Sequence, residues 1–351
     1  MNKYGFLLPF TLPLLAFAGF FLGGLWNFML PVFTYHVVPL LDMLAGLNTW
    51  NPVAREAVAL ERDPYYRLLL YVYVPLHYAV LLTAVWLVTQ YAQPWHALIG
   101  ITLTTGTVTG GLGITVAHEL GHKTGKLDRW LSRTLLLSVC YMHFYIEHNR
   151  GHHARVGTPD DAASARYGEM FYRFVPRAVA VGFRHAWILE RQRLARVGRS
   201  PWTPSNPMLW CVLLPSLSAV ALGMLMGWRA VVFFFAQSLL AFTLLELVNY
   251  VEHYGLTRRR LADGRFERIT LAHAWNSSQR VSSYFLFNLP RHSHHHIQAQ
   301  RSYQALGHIE ASPQLPTGYS GMLLLALVPP LWRRVMHPRL ARYKALQPAS
   351  P

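Results

Sequence analysis

Cysteine is almost missing from this 351-residue chain, which holds only Cys140 and Cys211. Two isolated thiols build no disulfide framework and no CxxC pair, so any metal bound here must be held by nitrogen or oxygen. Charge is scarce as well. Asp, Glu, Lys and Arg make up 14% of the residues and hydrophobic types 52%, whereas a soluble domain carries roughly 25% charged residues. That balance excludes both a disordered chain and an ordinary water-soluble domain. Acidic residues are the scarcer charged class, 16 against 32 Lys and Arg. Internal repeats and low-complexity tracts are also lacking. What stands out against these absences is histidine: there are 18, and ten fall within 118–153 and 292–296.

A bilayer core takes about 20 mainly apolar residues per helix. Six runs satisfy this, at 6–23, 25–44, 68–89, 95–117, 208–227 and 230–250, and residues 1–351 read as one integral-membrane domain. The first two are nearly continuous, as in a tight hairpin. Phe6 to Gly24 carries no charge and no small-residue cleavage site with polar flanks, so it reads as a retained span. Of the 32 basic residues, 14 lie in 118–207 and 13 in 251–351. Cytoplasmic loops are enriched in Lys and Arg, which places both segments and both termini on the cytoplasmic side and the loops near 90–94 and 227–229 outside. The net charge of +16 does not indicate nucleic acid, because the arginines are mixed with apolar residues, as in FYRFVPRAVAVGFRHAW. Lipid headgroups or an acidic protein partner suit that pattern better. The short apolar stretches 131–146 and 318–332 read as interfacial or re-entrant pieces.

Four histidine clusters carry the chemistry. His118-Glu-Leu-Gly-His122 closes the fourth run, and residues four apart on a helix share a face. Glu147-His-Asn-Arg-Gly-His-His153 repeats the spacing at His148 and His152, with His153 about 100° further round. Asn249-Tyr-Val-Glu-His-Tyr-Gly255 closes the sixth run and supplies His253. Leu289-Pro-Arg-His-Ser-His-His-His296 offers His292, His295 and His296. Some nine imidazoles exceed what one tetrahedral or octahedral ion can use, so two metal ions are expected. Imidazole suits Fe, Zn, Cu and Ni alike, and the ligand type leaves the element open.

His118-Glu119-Leu-Gly-His122 also satisfies HExxH, the pattern of zinc proteases in which Glu119 would be the general base. That reading leaves seven clustered histidines without a role. Soluble di-iron enzymes use Glu-x-x-His in pairs, and here only Glu119 and His122 have that spacing. A metal transporter would set its ligands across the midplane, whereas these gather at one membrane face. With neutral imidazoles as ligands, carboxylates are expected just behind them. Glu119, Glu147 and Glu252 each adjoin a histidine and are expected to accept the outer ring N–H and fix its tautomer.

HELGHK, EHNRGHH, NYVEHYGL and LPRHSHHH resemble the motifs of the integral-membrane non-haem di-iron alkane monooxygenases, within the membrane desaturase and hydroxylase superfamily. PLLDMLAG, ERDPYYR, HAWNSS, RSYQAL and the stretch from QLPTGY to PPLWRRVMHPR extend the similarity from about residue 35 to 340. The resemblance implies an all-α fold: six transmembrane helices with a cytosolic helical cap holding two irons, in a bacterial-type inner membrane. It implies O2-dependent terminal hydroxylation of n-alkanes, with electrons from rubredoxin reduced by a nicotinamide-dependent rubredoxin reductase. Carried over, the iron ligands would be His118, His122, His148, His152, His153, His253, His292, His295 and His296. Asn249, His273 and His294 would lie beside the site. The family usually reads LQRHSDHHA, and Pro290 and His294 depart from it, with His294 expected mostly to face outward. His36, His77, His96, His143, His185, His308 and His337 read as structural. The nearest alternative is a methyl hydroxylase of xylene-type alkyl-aromatics; a fatty-acyl desaturase is further off, because the NYVEHYGL box is more specific to alkane hydroxylases.

An alkane would enter from the bilayer into an apolar tunnel lined by the second to sixth spans. Thr102, Thr104, Thr105, Thr107 and Thr109, with Gly106, Gly110, Gly111 and Gly113, form a small-residue face on the fourth span, expected to serve close helix packing. Arg191, Arg193, Arg196 and Arg199 form one surface where an acidic donor could dock, although lipid anchoring accounts for them more simply.

Overall fold

In the computed structural model, residues 2–346 are described and are mostly helical. Among them there is no strand, only three isolated bridges. Six helices are long and apolar enough to cross a membrane: Lys3–Leu22, Gly24–Ala45, Pro64–Gln90, Trp95–Gly121, Pro207–Met226 and Trp228–His253. The protein is thus a multi-pass membrane protein. The third starts earlier than its apolar run, because Asp63 accepts from Tyr65 N at 2.9 Å and Pro64 takes the first helical position. The fourth runs on through His118 to Gly121, so the first histidine of the pair lies in the span itself and His122 caps its end.

The fourth span owes its central place to its small residues. A Cβ at Gly110 would lie 2.5 Å from Cα of Ala241 in the sixth span, one at Gly106 2.5 Å from the Leu240 side chain, and one at Gly113 2.6 Å from the His77 ring. These three glycines serve packing, as expected. Gly111 does not. It meets nothing within 4 Å and faces a cavity. Between Thr107 and Gly113 the span widens into π-helical turns, a local irregularity often found at functional positions.

Over one end of the bundle lie the amphipathic helix Lys126–Leu137, the long helix Phe171–Ala195 and the segment from Tyr254 onward. The apolar stretch from 131 divides between the end of Lys126–Leu137 and the turn entering Phe144–Glu147, and the one from 318 forms Tyr319–Ala326 and the start of Pro329–Leu346. Two polar anchors fix this cap. Asp42, at the end of the second span, accepts from the backbone N–H groups of Val281 and Ser282, each at 2.9 Å. Arg291 is buried and donates to the carbonyls of Asn48 at 2.9 Å, Trp50 at 3.3 Å and Leu306 at 2.5 Å. A buried guanidinium is stable only when its donors are used, and these bonds hold the helix His292–Ile297 over the bundle end.

Candidate metal centre

The nine imidazoles named above converge in two groups. His118, His122, His148, His153 and His295 bring five ring nitrogens within 4.8 Å of one another, and His152, His253, His292 and His296 bring four. In the first group the Nε2 atoms form a closed ring of contacts: His118–His295 3.1 Å, His295–His153 3.3 Å, His153–His148 3.1 Å, His148–His122 3.1 Å and His122–His118 3.2 Å. In the second, His292 stands 2.9 Å from His296 and 3.2 Å from His253, and His152 3.3 Å from His296. Lone pairs so close repel one another unless a proton or cation lies between them. With a metal–nitrogen bond of about 2.1 Å, a 3.1 Å edge subtends about 95°. Five donors at such edges match a square-pyramidal or octahedral ion with room for a further ligand, and exceed the four of a tetrahedral zinc site. The residues present therefore fit a non-haem metal centre with two sites.

Local backbone decides which histidine goes where. His118 and His122 share a group, as their spacing implies. His148 and His152 do not, contrary to expectation. Residues His148–His152 form a π-helical turn, in which i and i+5 align, so His148 pairs with His153 and His152 is turned into the other group. Gly151 makes room for that turn, because a Cβ there would strike Glu147 and Arg155, which pair at 3.0 Å. In the short helix His292–Ile297 the i, i+4 residues His292 and His296 stay together and His295 crosses to the five-nitrogen group.

The expected carboxylate supports are placed differently from the sequence reading. Glu119 accepts from Lys123 at 2.7 Å and from Tyr303 N at 3.2 Å, not from an imidazole. Glu147 binds Arg155, and Asn149 Nδ2 donates to the Tyr145 carbonyl at 2.7 Å. Asn249 donates to Glu246 at 3.2 Å, a buried acid that also accepts from Tyr141 at 2.8 Å. Glu252 accepts from Tyr319 at 2.8 Å, and its other oxygen lies 3.2 Å from Nε2 of His292, on the metal-facing side of that ring. Helical direction explains this: side chains adjacent in sequence diverge by about 100°, so a Glu next to a His does not reach behind it. His273 contributes its carbonyl, which accepts from Nδ1 of His253 at 3.2 Å, while its own ring faces Thr270 and Glu267. His294 touches neither group; its Nδ1 accepts from Gly307 N at 2.8 Å and its other edge meets Arg301.

The carboxylate that reaches the outer nitrogen, Nδ1, of a clustered imidazole is Asp161, absent from the sequence reading. It accepts from Nδ1 of His152 at 3.0 Å and from Ser164 Oγ at 2.6 Å. Burial alone would raise its pKa, but the imidazole and the hydroxyl pull it below the usual carboxylate range. Nothing in its motif, TPDDAAS, marks it. Burial keeps His122, His148, His153, His292, His295 and His296 well below the usual imidazole pKa, so their lone pairs are free for a metal at neutral pH.

A cavity reaches both groups, its wall including His118, His148, His292 and Glu252. Elsewhere it is mostly apolar, lined by Leu12 of the first span, Tyr35 and Val38 of the second, Leu112 and Ile114 of the fourth, and Leu245 and Val248 of the sixth, with a few hydroxyls such as those of Thr107 and Thr115. The expectation of a tunnel between the second and sixth spans holds only in part. The third and fifth spans contribute no wall, and the first does.

Residues 92–325 match the model of the fatty acid desaturase family. Alkane 1-monooxygenase 2 of Pseudomonas aeruginosa is 45% identical over 91% of this chain and 85% of that protein. The chain belongs to the alkane 1-monooxygenase family. Another member, alkane 1-monooxygenase 2 of Alcanivorax borkumensis, is 42% identical over 98% of this chain and 92% of its own. The hydroxylase component of xylene/toluene monooxygenase from Pseudomonas putida is more distant, 27% identical to this chain over 90% of it and 82% of that protein.

Proposed function

We propose that this protein is an alkane 1-monooxygenase, converting the terminal methyl of an n-alkane to a primary alcohol at a di-iron centre. The observation that carries the reading is the apolar cavity whose wall includes imidazoles of both histidine groups. His118, His122, His148, His153 and His295 would hold one iron, and His152, His253, His292 and His296 the other. Overall, RCH3 + O2 + 2e⁻ + 2H⁺ gives RCH2OH + H2O. When bound, the irons supply the O2 activation that an unactivated C–H bond demands.

The chain's own residues do the rest. Asp161 and the His273 carbonyl hold the Nδ1 protons of His152 and His253, which turns their Nε2 atoms inward. Leu112, Ile114, Leu245 and Val248 exclude water and align a hydrocarbon with no polar handle. Glu252, hydrogen-bonded by Tyr319, sits where the cavity meets the four-nitrogen group.

Electrons would come from rubredoxin and its nicotinamide-dependent reductase, at the cytoplasmic face of the inner membrane. The basic excess of the capping segments and the exposed Arg191, Arg196 and Arg199 support that side and an acidic donor. The closer likeness to alkane enzymes supports alkane over an alkyl-aromatic. The test supplies iron-loaded protein, rubredoxin, its reductase, NADH and O2 with octane, hexadecane or p-xylene. The expected products are 1-octanol or 1-hexadecanol. Protein that purifies without iron, or that oxidises p-xylene alone, would overturn the proposal.

A further inference from the structure

A second cleft shares no wall residue with the cavity at the metal centre. It opens where the fourth span ends at Gly121 and the fifth begins at Pro207, the level of the membrane interface. Its floor is apolar, with Leu137, Met142, Ile146, Cys211 and Leu214. Its rim is basic, with Lys123, Arg129, Arg133, Arg150 and Arg193 against the single acid Glu190.

Most of these charges already have partners. Glu190 takes both Arg150 and, at 2.6 Å, Arg193. Lys123 is bound to Glu119 at 2.7 Å and to Ser302 at 2.9 Å. Arg129 and Arg133 have no carboxylate partner among the described residues; Arg133 lies over the Tyr145 ring at 4.7 Å. They stand one turn apart on the helix Lys126–Leu137. Like charges at i, i+4 destabilise a helix, a cost that an anion between them would reverse. Two exposed indoles, Trp130 and Trp210, flank the same mouth, as aromatic side chains do at the headgroup level of a bilayer.

A ligand that satisfies both halves carries a phosphate and an acyl chain. We propose that this cleft binds one anionic phospholipid, its phosphodiester between Arg129 and Arg133 and an acyl chain over Cys211 and Leu214. Free phosphate would leave the apolar floor wet. An acidic protein would meet the rim but present nothing to a recessed hydrocarbon floor. Tyr145, Ile146 and Asn149 also line the cleft, so the bound lipid would brace the segment that carries His148 and His152. The assignment stands independently of the proposed hydroxylase activity.

The test is native mass spectrometry of the metal-loaded protein in mild detergent, with phosphatidylglycerol, phosphatidylcholine or inorganic phosphate added. One tightly held phosphatidylglycerol per chain is expected, with phosphatidylcholine retained about tenfold less, a difference of about 1.4 kcal/mol. The Arg129→Gln/Arg133→Gln protein should lose this preference and the Arg129→Lys/Arg133→Lys protein should keep it. Cys211→Trp, which fills the floor and leaves both guanidiniums, should also lose the lipid. Helical circular dichroism and metal content identify folded variants. Equal retention of phosphatidylglycerol by wild type and the double Gln variant would overturn the proposal. So would its retention by Cys211→Trp, its displacement by phosphate at equal concentration, or its displacement by rubredoxin, which would make the cleft a protein-docking surface.

Discussion

The two histidine groups are built from interleaved positions of one chain, yet they are supported in different ways. Every imidazole of the four-nitrogen group is buried, and two are held from behind, His152 by Asp161 and His253 by the carbonyl of His273. The five-nitrogen group has more donors, and His122 and His153 are only half-buried. Among the described residues, none of its Nδ1 atoms makes a hydrogen bond. One group has two of its four rings positioned by outer hydrogen bonds, with Nδ1 of His292 and His296 buried and unpartnered, and the other relies on a larger number of converging rings. The contrast implies that single losses are borne differently on the two sides.

The largest effect is expected from removing a ring. His253→Ala and His148→Ala should each abolish detectable alkane oxidation. Iron content, measured by elemental analysis, should fall from two towards one per chain for His253→Ala. It should fall less for His148→Ala, because four donors remain. Equal loss in both variants would break the contrast. Next comes the support behind the rings: loss of such a partner typically costs about 10–100-fold in metal affinity. Asp161→Asn should show a loss of that order at one iron per chain, read by chelator competition, while Glu119→Gln, whose acid meets Lys123 and a backbone N–H, should leave affinity within about twofold.

The sequence made the two elements with long-range signatures easy to read. Apolar length located all six spans, and i, i+4 spacing with clustering selected the nine imidazoles that converge. The division of those rings was not legible, because the π-helical turn His148–His152 leaves no mark in periodicity and inverts the partner choice of His152 and His153. Asp161 was not legible either, since it reaches His152 through a loop fold and not through helical spacing. Adjacency misled in the other direction. Glu119 and Glu147 stand next to ligating positions in sequence and turn to Lys123 and Arg155 in space.

A change in the cavity tests whether both groups address one substrate without disturbing either. Gly111 lies seven residues before His118, about 10 Å along the helix, and its missing side chain is open space in the cavity. Gly111→Phe should keep two irons per chain and keep octane oxidation. It should lower hexadecane oxidation by about tenfold or more, as a blocked apolar subsite does. Gas chromatography of both products from one mixture gives the ratio directly. An unchanged ratio would mean that the hydrocarbon does not pass Gly111.

The smallest effect expected is on the pH dependence of the metal-free protein, and it separates the groups again. Burial holds His122, His148, His153 and His295 of the five-nitrogen group below the usual imidazole pKa. The unfolded chain protonates them near pH 6.5 and the folded chain does not, so stability falls as pH drops below that value. Each contributes at most about 1.4 kcal/mol per pH unit. His152 behaves oppositely: burial would lower its pKa, but the charge and hydrogen bond of Asp161 raise it. Its contribution is complete below pH 6.5 and is lost as pH rises through the folded value. Thermal melts of the metal-free protein should therefore fall steadily between pH 7 and 5, and Asp161→Asn should steepen the fall by removing the one imidazole whose protonation opposes it. A shallower slope in Asp161→Asn would show that Asp161 does not hold the His152 proton.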